Sequence, residues 1–216
     1  MDDRSIAIEE KTTVVEVKII ERKDQLGNPG PALTFIFTMI TACFWGMYQG
    51  IFTGPTTIAI GLVQCACYLP YLVGTAIFFM KGNSVFGITF LIFSTLFGGV
   101  GGFLNVFSGF AQMNGWDTTY QMSALPFILG GVSVFPVIVV LRAAASKVSF
   151  ICFFCAMVFL ILGGLVTLNI LPAGVDILNK WLALIVFLTG TYEFVGGILE
   201  AGGSKPLPNG KPFFKS

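Results

Sequence analysis

Residues 27–52 read GNPGPALTFIFTMITACFWGMYQGIF, the end of a charged tail followed by a run with no charged side chain. As a helix, such a run is long enough to cross the hydrocarbon core of a bilayer, which takes about 20 mostly apolar residues. Five more runs of the same kind follow, so six spans are expected, at 32–52, 56–80, 85–107, 123–141, 148–171 and 181–201. The 216 residues are 55% hydrophobic and 11% charged, with a mean hydropathy of +0.86. A soluble domain carries about a quarter charged residues. The expected fold is an all-α polytopic membrane protein, six transmembrane helices in one bundle. Residues 1–27 form an N-terminal tail, 28–201 the six-helix domain and 202–216 a C-terminal tail.

Basic residues orient the bundle, because loops on the cytoplasmic side hold an excess of Lys and Arg. Arg4, Lys11, Lys18, Arg22 and Lys23 lie in the first tail, and Lys81 between spans two and three. Arg142 and Lys147 lie between spans four and five, and Lys205, Lys211 and Lys215 in the last tail. With six spans these eleven fall on one side and only Lys180 on the other. Both termini are expected in the cytoplasm, and the 108–122 loop outside. No apolar stretch precedes residue 28, so the first span is expected to serve as its own insertion signal. The expected location is multi-pass in the plasma (cytoplasmic) membrane.

Several function classes drop out. The chain has no histidine, which removes most zinc, haem and imidazole acid–base chemistry. No phosphate-binding loop, catalytic triad or metal cluster is legible, so no enzyme activity, cofactor, metal or nucleic-acid partner is expected. The lipid bilayer is one partner. Cys43, Cys65, Cys67, Cys152 and Cys155 all sit in apolar runs. The C-x-x-C of Cys152 and Cys155 lacks a polar setting, and buried packing is the expected role of these thiols.

Polar groups inside a span are costly and therefore informative. No Lys or Arg falls within a predicted span, and Glu193 is the one acidic residue near mid-span. Two roles stay open for it: a proton relay, or structural glue bonded to Thr189, Thr191 or Tyr192. Low dielectric penalises the charged carboxylate, so a mostly protonated Glu193 facing the bundle interior is expected. Glycine pairs such as those in FGGVGGF, residues 97–103, let helices approach closely where lipid gives no hydrophobic drive for association. A compact bundle follows.

The opening stretch has its own logic. Pro is tolerated in the first helical turn, where its missing N–H needs no partner. Asn28 is expected to cap, with Pro29 and Pro31 fixing the entry of span one. The plain reading is a rigid helix start. The sharper one is an anion vestibule, since a helix N-terminus presents a positive dipole end.

NPGPALTF at 28–35 resembles the N-P-A-P-L-G-L signature of the acetate uptake transporter family, which includes succinate–acetate permeases and fungal ammonia-export proteins. KGNSVFGITF at 81–90 is similar to that family's K-G-N-T-F-G-x-T, and LPNG at 207–210 agrees as well. Gly30 stands where the family has Ala, Ala32-Leu33 where it has Leu-Gly, and Val85 is an apparent insertion. The resemblance implies a hexamer with one pathway per protomer and a hydrophobic constriction of three side chains. These map onto Phe37, onto Phe93 (or Ser94 if Val85 is the insertion), and onto Ala156. It implies transport of a small monocarboxylate such as acetate, with Glu193 the mid-span candidate if protons are coupled. The alternatives are a conduit for ammonia, ammonium or another small neutral solute, and a membrane-organising protein without transport.

Overall fold

Apolar sequence in lipid leaves backbone donors and acceptors only each other, and the helix satisfies them within one segment. The computed structural model describes residues 26–52, 56–116, 123–141 and 146–213, and these are helical with no strand among them. The helices are α1 (Gly30–Tyr48), α2 (Thr56–Met80), α3 (Ser84–Phe93), α4 (Gly102–Met113), α5 (Ala124–Leu141), α6 (Lys147–Thr167) and α7 (Asp176–Ala201). A π-helical segment, Ser94–Gly101, joins α3 to α4 as one rod, and a single 3-10 turn, Ala173–Val175, leads into α7. Five rods, Ser84–Met113 counted as one, are long and apolar enough to cross a membrane, while α5 is a shorter apolar helix. The chain is a multi-pass membrane protein.

Several boundaries differ from the expected ones. The first helix starts at Gly30 rather than residue 32, because Pro29 and Pro31 sit in its opening turn, and it stops at Tyr48, with Gly50 at φ +68 just beyond. The rod containing α4 runs on to Met113, so Ser108 is a buried helical residue instead of the start of a loop. The last helix begins at Asp176, which puts Lys180 inside its first turns rather than ahead of it. The N-terminal tail through residue 25, the loop residues 117–122, Arg142 and Lys215 lie outside the described residues.

The rods close a ring. Each packs on its sequence neighbour, α1 on α2, α2 on the α3–π–α4 rod, that rod on α5, α5 on α6 and α6 on α7, and α7 returns to α1. Small residues set the spacing. A Cβ on Gly61 of α2 would lie 2.6 Å from the Gly102 carbonyl and the Val106 nitrogen of α4. One on Gly131 of α5 would meet the Met157 carbonyl of α6 at 3.0 Å. Backbone is thus in contact with backbone, the close approach that packs helices without a hydrophobic drive.

The two ends of the ring differ in charge. Lys81 Nζ donates to the Leu26 carbonyl at 2.8 Å, and Lys147 packs under Gly210 and lies 5.4 Å from the Phe213 ring centroid. With Lys205 and Lys211 in the same C-terminal segment, these lysines gather at one end, and Lys180 stands at the other beside Trp181.

Candidate functional site

Three interior spaces follow one another inside the ring. The first, about 450 Å³, opens at the lysine-rich end and is lined by Asn28, Pro31, Asn83, Ser149, Glu193 and Leu207 among others. The second, about 120 Å³, lies at the opposite end against Tyr48, Thr57, Asn105 and Thr167. Between them is a gap of about 10 Å³ bounded by Thr34, Phe37, Phe90, Phe93, Cys152, Phe153 and Ala156.

Helical spacing explains why one sequence face visits all three levels. On α1, Pro31 and Thr34 line the first space, Phe37 the gap, and Phe44 and Tyr48 the second. Steps of three, four and seven keep residues on one face. On α6 the same face carries Ser149, Phe153, Ala156, Gly163 and Thr167 in that order. On the third rod Phe86 and Phe90 line the first space, Phe90 and Phe93 the gap, and Asn105 the second.

The structure brings Phe37, Phe93 and Ala156 together at the gap. Phe37 stacks on Phe93 with ring centroids 5.1 Å apart, and Ala156 is buried against them. Of the two alternatives, Phe93 lines the gap, while Ser94 donates to the Tyr68 carbonyl on α2. The aromatic layer extends beyond these three residues. Phe97 sits edge-on to Phe37 at 6.1 Å and meets Phe127 at 5.9 Å, and Phe127 meets Phe44 at 5.5 Å. A gap of about 10 Å³ lined mostly by rings gives a water too few polar partners to stay. This level is dry.

Around the first space, three helices present their N-termini. Asn28 Oδ1 accepts from the Gly30 N–H at 3.0 Å at the start of α1, although Pro29, not Asn28, is the N-cap residue. Asn83 caps α3 through the Phe86 N–H, and Ser146 caps α6 through the Ser149 N–H. The C-terminal segment takes a fourth donor, for the Asn209 carbonyl accepts from Val148 N–H at 3.4 Å. Four first-turn donors are therefore occupied, and the helix ends also offer a solute their dipole field. Each is equivalent to about half a positive charge.

Glu193 faces this space, but in a setting different from the expected one. It lies eight residues before the end of α7, about 12 Å from that terminus, and lines the first space. Its partner is Ser149 of α6, whose hydroxyl donates to Glu193 Oε1. Thr189 bonds back to its own helix, and the Tyr192 hydroxyl donates to the Pro208 carbonyl. Glu200 lines the same space.

Two features have no counterpart in the charge and glycine patterns. The C-terminal segment folds back over the first vestibule, with Leu207 against Gly196 and Phe213 against Phe150. A buried amide pair, Gln64 and Asn105, joins α2 to α4 near the second space. Amides inside spans were the available signal, because a search confined to charged side chains passes over them. Asn179 is the same kind of residue, fully buried beside Tyr48. A scan of the chain against protein-family models finds no match, and a search of curated proteins finds none.

Proposed function

We propose that this protein is a transporter or channel for a small monocarboxylate such as acetate, its path running inside the helix ring. The observation that carries this reading is the meeting of Phe37, Phe93 and Ala156 in a dry gap between two vestibules. All six apolar helices cross the membrane, the lysine-rich end faces the cytoplasm with both termini, and the membrane is the plasma (cytoplasmic) membrane. The protein is a homo-oligomer, a hexamer by its resemblance to the acetate uptake transporters, with one path per protomer.

The charges of the first vestibule give the mechanism its direction. Glu193 and Glu200 both line this space, so an ionised Glu193 repels an entering anion, and a neutral Glu193 removes that repulsion and leaves the helix N-termini to favour it. A carboxylate anion is thus admitted when Glu193 holds a proton, and a proton passed on to it yields the neutral acid. Only the neutral acid crosses the dry barrier cheaply, since an unpaired charge there is far more costly than an unpaired hydroxyl. Weak sites on either side suit a conduit, which must release what it binds.

The two vestibule carboxylates favour one second reading, passage of ammonia or ammonium. Radiolabelled acetate uptake into proteoliposomes, with and without a proton gradient, tests the first. Protein-dependent uptake accelerated by an acid outside is the expected result. No protein-dependent acetate flux, together with rapid alkalinisation of the lumen by external ammonium, would transfer the assignment to the second.

A further inference from the structure

The third rod carries a discontinuity that the path itself does not require. Residues Ser94–Gly101 are π-helical, with one residue more per turn in hydrogen-bond register than the α-helices on either side. Such turns hold an extra residue, and the consequence is readable in the face of the rod. Phe90 and Phe97 lie seven apart on the inner face, and in an unbroken α-helix the next member would be Leu104. The residue that lines the second vestibule is Asn105. The π turn advances the phase of α4 by one residue, about 100° of rotation, and puts an amide where an isobutyl group would stand.

A π turn leaves carbonyls poorly matched to the donors above them. Here one is taken from outside the rod: Gln64 Nε2, on α2, donates to the Phe97 carbonyl at 3.0 Å. Gln64 Oε1 accepts from Asn105 Nδ2 at 2.6 Å. The same side chain therefore grips the π turn and the residue that the turn delivers. Gln64 is fully buried, so its bond to the Phe97 carbonyl is shielded from water, while the bond to Asn105 lies at the half-buried wall of the second vestibule. One helical turn further along α2, the Tyr68 carbonyl accepts from Ser94 at 3.3 Å, and a Cβ on Gly98 would lie 3.0 Å from Tyr68 Cα. The π segment lies flat on α2 and is held at both ends.

We propose that Gln64 is a positioning residue that latches this π turn, fixing Phe97 in the barrier and Asn105 in the second vestibule. Without the latch the extra residue migrates along the rod. The Phe93–Phe97 pair then loses its register against Phe37 and Phe127, and Leu104 competes with Asn105 for the vestibule face. The inference rests on the path reading for its functional consequence, while the latch itself is a property of the fold.

The experiment separates the two. Gln64→Met, which keeps the length of the side chain and removes both polar ends, and Asn105→Ala, which removes only the second link, are compared with the unmodified full chain. Hydrogen exchange by mass spectrometry reads residues 94–105 in detergent and needs no transport. Gln64→Met is expected to speed exchange there by about fivefold to tenfold, the worth of one net hydrogen bond, and to leave α6 and α7 peptides unchanged. Asn105→Ala is expected to do the same more weakly. In proteoliposomes, the acetate-to-butyrate uptake ratio should fall in both variants. Unchanged exchange over 94–105 in a folded, monodisperse Gln64→Met protein overturns the latch. If that variant does not fold, unchanged exchange in Asn105→Ala overturns it instead. Faster exchange with an unaltered uptake ratio removes the latch from selectivity. Faster exchange in a protein that moves neither acid supports the latch and sinks the path reading.

Discussion

Cutting Phe37 back to alanine is expected to speed permeation of a small carboxylic acid by about fivefold to 150-fold. The ring is 6% exposed, stacked at 5.1 Å on Phe93 and set edge-on at 6.1 Å to Phe97, beside a gap of about 10 Å³. A carboxyl group at that level meets rings on most sides, with the Thr34 hydroxyl and the Cys152 thiol as the polar side-chain groups of the lining. An unmet polar group costs about 1–3 kcal/mol by mutational measures. Removing the ring lets a water accompany the solute and lowers the barrier by about one such group. At about 1.4 kcal/mol for each tenfold, that range becomes the stated acceleration.

Phe→Ala in a packed core also costs about 3–5 kcal/mol of stability. Phe37→Leu, which trims the ring but stays apolar, is the companion, with a smaller acceleration expected. Ala156→Leu works in the opposite sense. It fills the gap from α6, costs about 1–3 kcal/mol through overpacking, and should slow uptake and discriminate more strongly against butyrate. The assay is initial-rate uptake of radiolabelled acetate and butyrate at matched protein density. Flux equal to the unmodified protein in both Phe37→Leu and Ala156→Leu, each folded and normally reconstituted, would refute a path past these residues.

Glu193→Gln is expected to keep assembly and to flatten the pH dependence of uptake, because the amide still meets Ser149 but no longer takes up a proton. An intact pH profile would leave Glu193 a structural residue. Gly61→Ala should lower the melting temperature in detergent, its methyl meeting α4 backbone at 2.6 Å, at a cost of about 1–3 kcal/mol. Gly27→Ala, with open space around it, is the neutral control. For topology, exposed Trp116→Cys should react with an impermeant thiol reagent only from outside, and Lys205→Cys only from the cytoplasm. The reverse pattern would invert the assigned orientation.

What the sequence made legible follows from which forces act locally. Long apolar runs placed the helices because lipid forbids unpaired backbone over a whole span, and that constraint needs no tertiary partner. Ends were less legible. Pro29 and Pro31 pull the start of α1 earlier than hydropathy suggests, and the apolar stretch around Ser108 continues α4 where a loop was expected. Phe37, Phe93 and Ala156 came together through the family resemblance, not through composition. With 23 phenylalanines in the chain, nothing local distinguishes Phe97 or Phe127 from a ring that faces lipid. The hydrogen bond from Ser149 to Glu193 spans 44 residues, so no local search of the stretch around Glu193 finds it.

The π turn shows where such reading stops in principle. Periodicity assigns faces by counting, and counting assumes a constant number of residues per turn. The inner face at Phe86, Phe90, Phe93 and Phe97 follows that count, and the same count then points to Leu104. One additional residue in register leaves hydropathy almost untouched, since Ser94–Gly101 is as apolar and glycine-rich as an α-helical packing face would be. Yet it turns every later side chain of the rod by about 100°. What stabilises that choice is a side chain on another helix, Gln64, reaching the Phe97 carbonyl from 33 residues away. An amide buried in a span is costly until it is paired. Gln64 was therefore the visible mark of a tertiary contact, and its two partners show why a polar residue stands in the otherwise apolar wall of α2.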